Sequence, residues 1–156
     1  MDAKELVSLQ QLWYPDRLLE LGGTTKEEVL AELVQAVADA PQVGDTAGLA
    51  EALRDREAIM STGIGLGVAV PHARIPSISG FIMTAGRTSV DVEWDSLDGE
   101  PVRIIVMIAG PAGEQQAYLK ILARVALAVR KKEVRSTLLS TADLEGALVM
   151  LEGPRS

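Results

Sequence analysis

Hydrophobic positions early in the chain fall at helical spacing. Leu30, Leu33, Val34 and Val37 line one face of a stretch that Thr25 opens and Glu28, three residues on, completes as a capping box. The pattern predicts an amphipathic helix over residues 25–39. A short strand over residues 17–21 precedes it and ends at Gly22-Gly23. Pro41 and Gly44 break the helix, and a second is expected from Asp45 to about Met60. Residues 61–67, Ser-Thr-Gly-Ile-Gly-Leu-Gly, cannot hold a helix, because glycine loses too much backbone entropy there and readily supplies positive φ. Val68-Ala69-Val70 then reads as a strand running into Pro71-His72, and Phe81 to Ala85 as another.

Val92 to Asp98 reads as an edge or a loop, closed by a turn at Asp98-Gly99. Residues 102–108 are apolar on both faces apart from Arg103, which predicts an inner strand covered on each side. A long helix is expected from Glu114 to Lys132. Its narrow polar stripe of Lys120, Arg124 and Lys131 implies that most of its circumference is buried, and Arg130, Lys131 and Lys132 suit the dipole at its end. A shorter helical stretch follows, and Thr141 reads as the cap of a last helix carrying Leu144, Leu148 and Leu151. Alternating strands and helices define the class as α/β, with a single mixed, mostly parallel β-sheet sandwiched between helices, in one domain over residues 1–156.

Composition narrows the chemistry. The net charge of -7 offers no basic face to nucleic acid. With no cysteine and one histidine, disulfides and thiol catalysis are excluded and a zinc site is disfavoured, so neither a metal nor an organic cofactor is expected. The N-terminus, Met1-Asp2-Ala3-Lys4-Glu5, lacks a basic stretch followed by an apolar one, and the longest apolar runs fall short of a bilayer. Neither a signal peptide nor membrane insertion is expected, and the compartment is expected to be the cytoplasm.

The segment that carries chemistry is residues 56–74. Leu49, Ala52, Leu53 and Met60 define the inward face of the second helix, and Arg56 falls on the same face. A guanidinium near a core needs an anion or several acceptors. The glycine loop that follows can bring backbone N–H groups close to a ligand, with Ser61 and Thr62 at its start. Next, a strand delivers His72 at its end, where sites in α/β sheets usually lie. A neutral imidazole is a nucleophile near pH 7, and an arginine within reach can stabilise an incoming phosphoryl group. By residue type alone, a lone histidine such as His72 is more often structural or solvated than catalytic, and Arg56 is equally compatible with a solvated helix face. Gly63-Ile64-Gly65-Leu66-Gly67 is not a dinucleotide fingerprint, because a helix precedes it and a strand follows, the reverse of that motif. Trp13 and Trp94 give no usable signal.

Glu57, Ile64-Gly65 and Val68-Ala69-Val70-Pro71-His72-Ala73 together resemble, in residue type and spacing, the phosphorylation-site signature of the fructose/mannitol-type enzyme IIA family of the sugar phosphotransferase system. Similarity extends to Thr25-Lys26-Glu27-Glu28 and to Leu97-Asp98-Gly99-Glu100-Pro101-Val102, and covers about residues 17–151. The resemblance implies that His72 accepts a phosphoryl group from a phosphocarrier protein and passes it to an enzyme IIB. It also implies that Arg56 is the active-site arginine. Many members carry a histidine early in the long helix, within a His-Leu-x-x-Leu-Ala pattern. Here the pattern reads Tyr118-Leu119-Lys120-Ile121-Leu122-Ala123, and a phenol cannot take a positive charge. Tyr118 either offers its hydroxyl to the phosphate or fills space beside Ile121, Leu122 and Val125. Ser61, Thr62 and Tyr118 are therefore candidate substrate-binding residues beside the catalytic pair His72 and Arg56.

The wording Ser61-Thr62-Gly63-Ile64-Gly65 resembles the free-standing nitrogen-regulatory branch, whose phosphorylation state is read by partner proteins, and no attached enzyme IIB or IIC is expected. A regulatory phosphocarrier is the expectation. The alternatives are the IIA component of a fructose- or mannitol-type permease and a non-catalytic binding module on the same fold.

Overall fold

The computed structural model describes residues 9–152. Its elements run in the order 3-10 helix Leu9–Leu12, β1 Leu19–Leu21, α1 Lys26–Ala36, α2 Thr46–Ile59, β2 Gly63–Gly65, β3 Val68–Ala69, β4 His72–Arg74, β5 Ile82–Val92, β6 Val102–Gly110, α3 Gln115–Val129, α4 Lys132–Ser140 and a closing 3-10 helix Gly146–Leu151.

The predicted inner strand is the axis of the molecule. β6 pairs antiparallel with β5 on one side and parallel with β3 and then β4 on the other. β1 joins β5 in parallel and β2 folds antiparallel onto β3, so the order is β1-β5-β6-β3-β2 with β4 also against β6. Three of these five pairings are parallel. Alternation along β6 sends Ile105, Met107 and Ala109 into a core with Leu30, Leu33, Leu49 and Leu53 of α1 and α2. It sends Ile104, Val106 and Ile108 into a second core with Ile121, Val125, Leu138 and Leu148. The sheet is thus covered on both faces, as its apolar sequence requires.

Both early helices start where their caps predict. The Thr25 side chain accepts from Glu28 N, and Asp45 accepts from Gly48 N at the start of α2.

Several boundaries differ from expectation for identifiable reasons. The strand expected over Val68-Ala69-Val70 and onward is interrupted at Pro71, which has no N–H for the ladder, and pairing resumes at His72 as β4. The glycine segment contributes β2 and then a two-residue turn, Leu66-Gly67, with φ of 62° and 78°. That is the hairpin geometry whose twist matches its strands. β5 runs to Val92, far beyond Ala85, because β1 and β6 pair along it.

The long helix stops at Val129 rather than Lys132. Arg135 supplies the reason, since its Nη1 donates to Val129 O at 2.8 Å and Arg130 O at 2.9 Å, satisfying carbonyls at the helix end. Lys131 becomes the N-cap of α4 and Lys132 its first residue. Burial of most of the α3 circumference is also not found. Leu119 and Leu127 are 52% and 49% exposed, because only one face of the helix meets the sheet. Thr141 ends α4 rather than capping a last helix, and Asp143 accepts from Gly146 N at the start of the closing 3-10 turn.

Close packing of β1 on β5 rests on Gly86. A Cβ there would lie 2.6 Å from Leu21 Cδ1 and 3.2 Å from Leu19 O. Gly86→Val is expected to lower stability by about 1–3 kcal/mol through overpacking. Urea denaturation checks this, and a variant as stable as the parent would show that β1 moves aside freely.

Candidate functional site

Pro71 ends β3's run and sets the imidazole of His72 at the first position of β4, opposite Ile108 of β6. In β4 the outer residues His72 and Arg74 are half-buried while Ala73 between them is buried, so both polar side chains leave one side of the strand. A cavity of about 510 Å³ opens there, lined by Asp55, Arg56 and Ile59 of α2, His72 and Arg74 of β4, and Tyr118 of α3. The two helix layers meet at this point. A larger hollow of about 650 Å³, bordered by Leu9, Leu12, Phe81 and Ile121, does not include His72 or Arg56.

His72 Nδ1 lies 2.7 Å from Val70 O. A carbonyl oxygen only accepts, so Nδ1 carries the hydrogen and Nε2 carries the lone pair of the neutral ring. Burial holds the imidazole below its ordinary value of 6.5. The Val70 carbonyl opposes that shift, the Arg56 guanidinium adds to it and the Glu57 carboxylate opposes it weakly. The ring is therefore neutral at pH 7.

Arg56 stands in the last turn of α2, with its Nη1 donating to Met60 O at 2.7 Å. Leu49 and Leu53 on its face are buried as expected. Met60 is not, being 61% exposed, because it lies past the helix as its extended C-cap. Tyr118 is buried against two rings. Its centroid is 5.7 Å from that of His72, edge-on, and 6.4 Å from that of Phe81 in a stacked pair. Burial pushes its phenol up to about 12, against the opposing fields of Arg74 and Arg56, so the hydroxyl keeps its proton.

Ser61 and Thr62 do not reach the cavity wall. The Ser61 hydroxyl donates to Trp94 O at 2.7 Å and accepts from Gly63 N at 3.0 Å. The Thr62 hydroxyl bonds the Glu57 carboxylate and accepts from Trp94 Nε1 at 3.2 Å. Glu57 also receives Lys26 Nζ at 2.9 Å, and that ammonium sits 5.5 Å from the Trp94 ring centroid. These four side chains, Lys26, Glu57, Thr62 and Trp94, lock the loop between Arg56 and His72. Trp94 acts through a long-range contact that no local pattern announces. Arg74, by contrast, could have been found from strand alternation two residues past His72. Among the described residues, no cluster of three or more His, Cys, Asp or Glu side chains suits a metal, and no helix is long and apolar enough to cross a membrane.

Residues 17–152 match the family of the phosphoenolpyruvate-dependent sugar phosphotransferase system, EIIA 2, and the chain belongs to that family. It is 34% identical over 131 residues to the fructose-specific EIIABC component of Bacillus subtilis, covering 84% of this chain but 20% of that much longer protein. It is 30% identical to a nitrogen regulatory protein of Pseudomonas aeruginosa, across 90% of this chain and 92% of the relative. The crystal structure of nitrogen regulatory protein IIA-Ntr from Neisseria meningitidis superposes with a TM-score of 0.85 at 25% identity, covering 92% of this chain and 98% of that one. The α/β fold with its mixed sheet is thus that of the enzyme IIA proteins.

With a single histidine in the sequence, His72 can be titrated without ambiguity by NMR. Its midpoint is expected below 6.5. A nearby guanidinium disfavours the imidazolium, so Arg56→Gln is expected to move the midpoint upward. A midpoint that stays put would mean that Arg56 does not reach the ring.

Proposed function

We propose that this chain is a phosphocarrier in which His72 accepts a phosphoryl group from the phosphohistidine of a carrier protein, acting in the cytoplasm. The observation that carries the reading is the 2.7 Å contact between His72 Nδ1 and Val70 O, which leaves Nε2 as the nucleophile inside a cavity shared with Arg56. In the step, the Nε2–P bond forms as the donor's P–N bond breaks. The donor imidazole leaves with the electron pair of that bond. Arg56 balances charge on the transferring oxygens, where it acts as a preorganised donor because Met60 O already holds it. The donor phosphate is already activated, so transfer needs no metal or organic cofactor. Ile59, 81% exposed at the rim, offers apolar surface for a docking protein.

The output is regulatory in this reading, with partner proteins responding to the phosphorylation state. Its support is the likeness to the nitrogen regulatory proteins along nearly their whole length. A second reading, the IIA component of a sugar permease passing phosphate to an enzyme IIB, is favoured by the 34% identity to the fructose-specific protein. Delivery of phosphate from labelled His72 to an enzyme IIB would support the permease reading, and retention would support the regulatory one.

Incubation with phosphorylated carrier protein is expected to add one acid-labile, base-stable phosphate at His72, located by mass spectrometry. Uptake should survive EDTA and vanish in His72→Ala. A His72→Ala protein that still takes up phosphate would end this reading, and a parent protein that takes up none would leave the binding-module alternative.

Arg56→Gln is expected to slow transfer by about a hundredfold or more, the usual cost of losing one preorganised donor. Its melting temperature should stay within a few degrees of the parent. Rapid-quench kinetics would measure the rate, and full activity would place Arg56 outside the transfer step.

A further inference from the structure

We propose that Arg74 is a second phosphoryl-binding side chain of this site, and that the Tyr118 ring is the platform that holds it there. The inference rests on the reading of His72 as the phosphoryl carrier. Arg74 and His72 leave β4 on the same side, with buried Ala73 between them, and both line the 510 Å³ cavity. The guanidinium carbon of Arg74 lies 5.0 Å from the Tyr118 ring centroid, within the range of a cation–π contact. Arg74 Nη1 also donates to Ala112 O at 3.1 Å.

Each of the two arginines is thus tethered by a backbone carbonyl, Arg56 to Met60 O and Arg74 to Ala112 O, and they enter the cavity from different elements. The fields of both reach Tyr118. Among the described residues, Asp55 is the one carboxylate in the cavity wall, so with neutral His72 the arginines there outnumber the acids. Two fixed guanidiniums beside an uncharged nucleophile form a receptor for a dianionic group. A transferring phosphoryl spreads its charge over three equatorial oxygens, and a guanidinium has five N–H donors, of which Ala112 O engages one. Arg74 exchanges no proton in the step. It contacts non-bridging oxygens while the Nε2–P bond forms and the donor's P–N bond breaks.

Tyr118 acts here through its ring face rather than its hydroxyl. It is a positioning residue.

The test uses the full chain and phosphorylated carrier protein, with transfer rate, the 31P resonance of phosphorylated His72 and melting temperature as readouts. Arg74→Gln is expected to slow transfer by about a hundredfold, shift the 31P resonance and leave melting within a few degrees. Arg74→Lys, which keeps the charge, should recover part of the rate. Tyr118→Leu, which removes the ring, should slow transfer about fivefold and add little further loss to Arg74→Gln, and Tyr118→Phe, which restores a ring, should recover part of the rate lost in Tyr118→Leu.

An Arg74→Gln protein with the parent's rate and 31P resonance would overturn the proposal. So would Arg74→Gln and Arg74→Lys proteins equally slow with unaltered 31P resonances, since Arg74 would then be only a strut for the Ala112 carbonyl. Failure of the parent chain to take up phosphate at His72 is a different result and counts against the phosphocarrier reading itself.

Discussion

Strand β6 can tolerate no solvent on either face, and that constraint organises the rest of the molecule. From Ile104 to Gly110 every residue is buried, with side chains alternating between two separate cores. Its backbone groups are taken up by β5 on one edge and by β3 and β4 on the other. Such a strand is stable only when helices cover both faces of the sheet. α1 and α2 cover one, while α3, α4 and the two 3-10 helices cover the other. The candidate site lies where these coverings end, at the stretch of β6 that receives His72. A side chain there can emerge between the helix layers while its backbone stays in the sheet.

The electrostatics follow from that position. Half-burial disfavours the charged imidazole, and Arg56 disfavours it further. On the phosphocarrier reading proposed above, the same two influences suit an incoming dianion, because a neutral imidazole and a fixed cation do not neutralise each other. Glu57, next in sequence to Arg56, is turned away into the Lys26 and Thr62 contacts. Its negative charge is spent on the loop instead of on the arginines. Neighbouring residues of one helix turn thus serve opposite ends, one holding the loop closed and the other facing the cavity.

The loop lock ties the two halves of the site together. Trp94, fully buried in the segment after β5, receives Ser61 at its carbonyl and offers its indole N–H to Thr62. Leu66 is held with positive φ by Asp98, whose carboxylate accepts from its N–H. A loop rich in glycine is entropically costly to order. These contacts from residues 94–98 offset that cost, so the distance in sequence between Arg56 and His72 becomes a fixed distance in space.

Much of this was legible in the chain itself. Thr25 and Asp45 caps, the helical spacing of Leu30, Leu33 and Val34, and the apolar run of β6 are local signals, because hydrogen bonds between near neighbours and the period of burial create them. The pairing of His72 with Arg56 as candidates came from one contiguous block, so it too could be read without a fold. What depended on remote partners could not be. The stop of α3 at Val129 needs Arg135, the length of β5 needs β1 and β6, and the surface exposure of Leu119 and Leu127 needs knowledge of which helix face meets the sheet. The Ser61 hydroxyl donates to Trp94 O and the Thr62 hydroxyl to Glu57, partners that only the fold brings to them. Arg74 and Tyr118, 44 positions apart in the chain, met only in the folded protein. Sequence by itself determined most of the elements and singled out His72 and Arg56 as candidates, since those rest on short-range chemistry and one contiguous block. Tertiary structure alone decided which polar groups face the cavity and which are consumed inside the loop, because a hydrogen-bond donor is available to a ligand only if no nearer acceptor has already been folded against it.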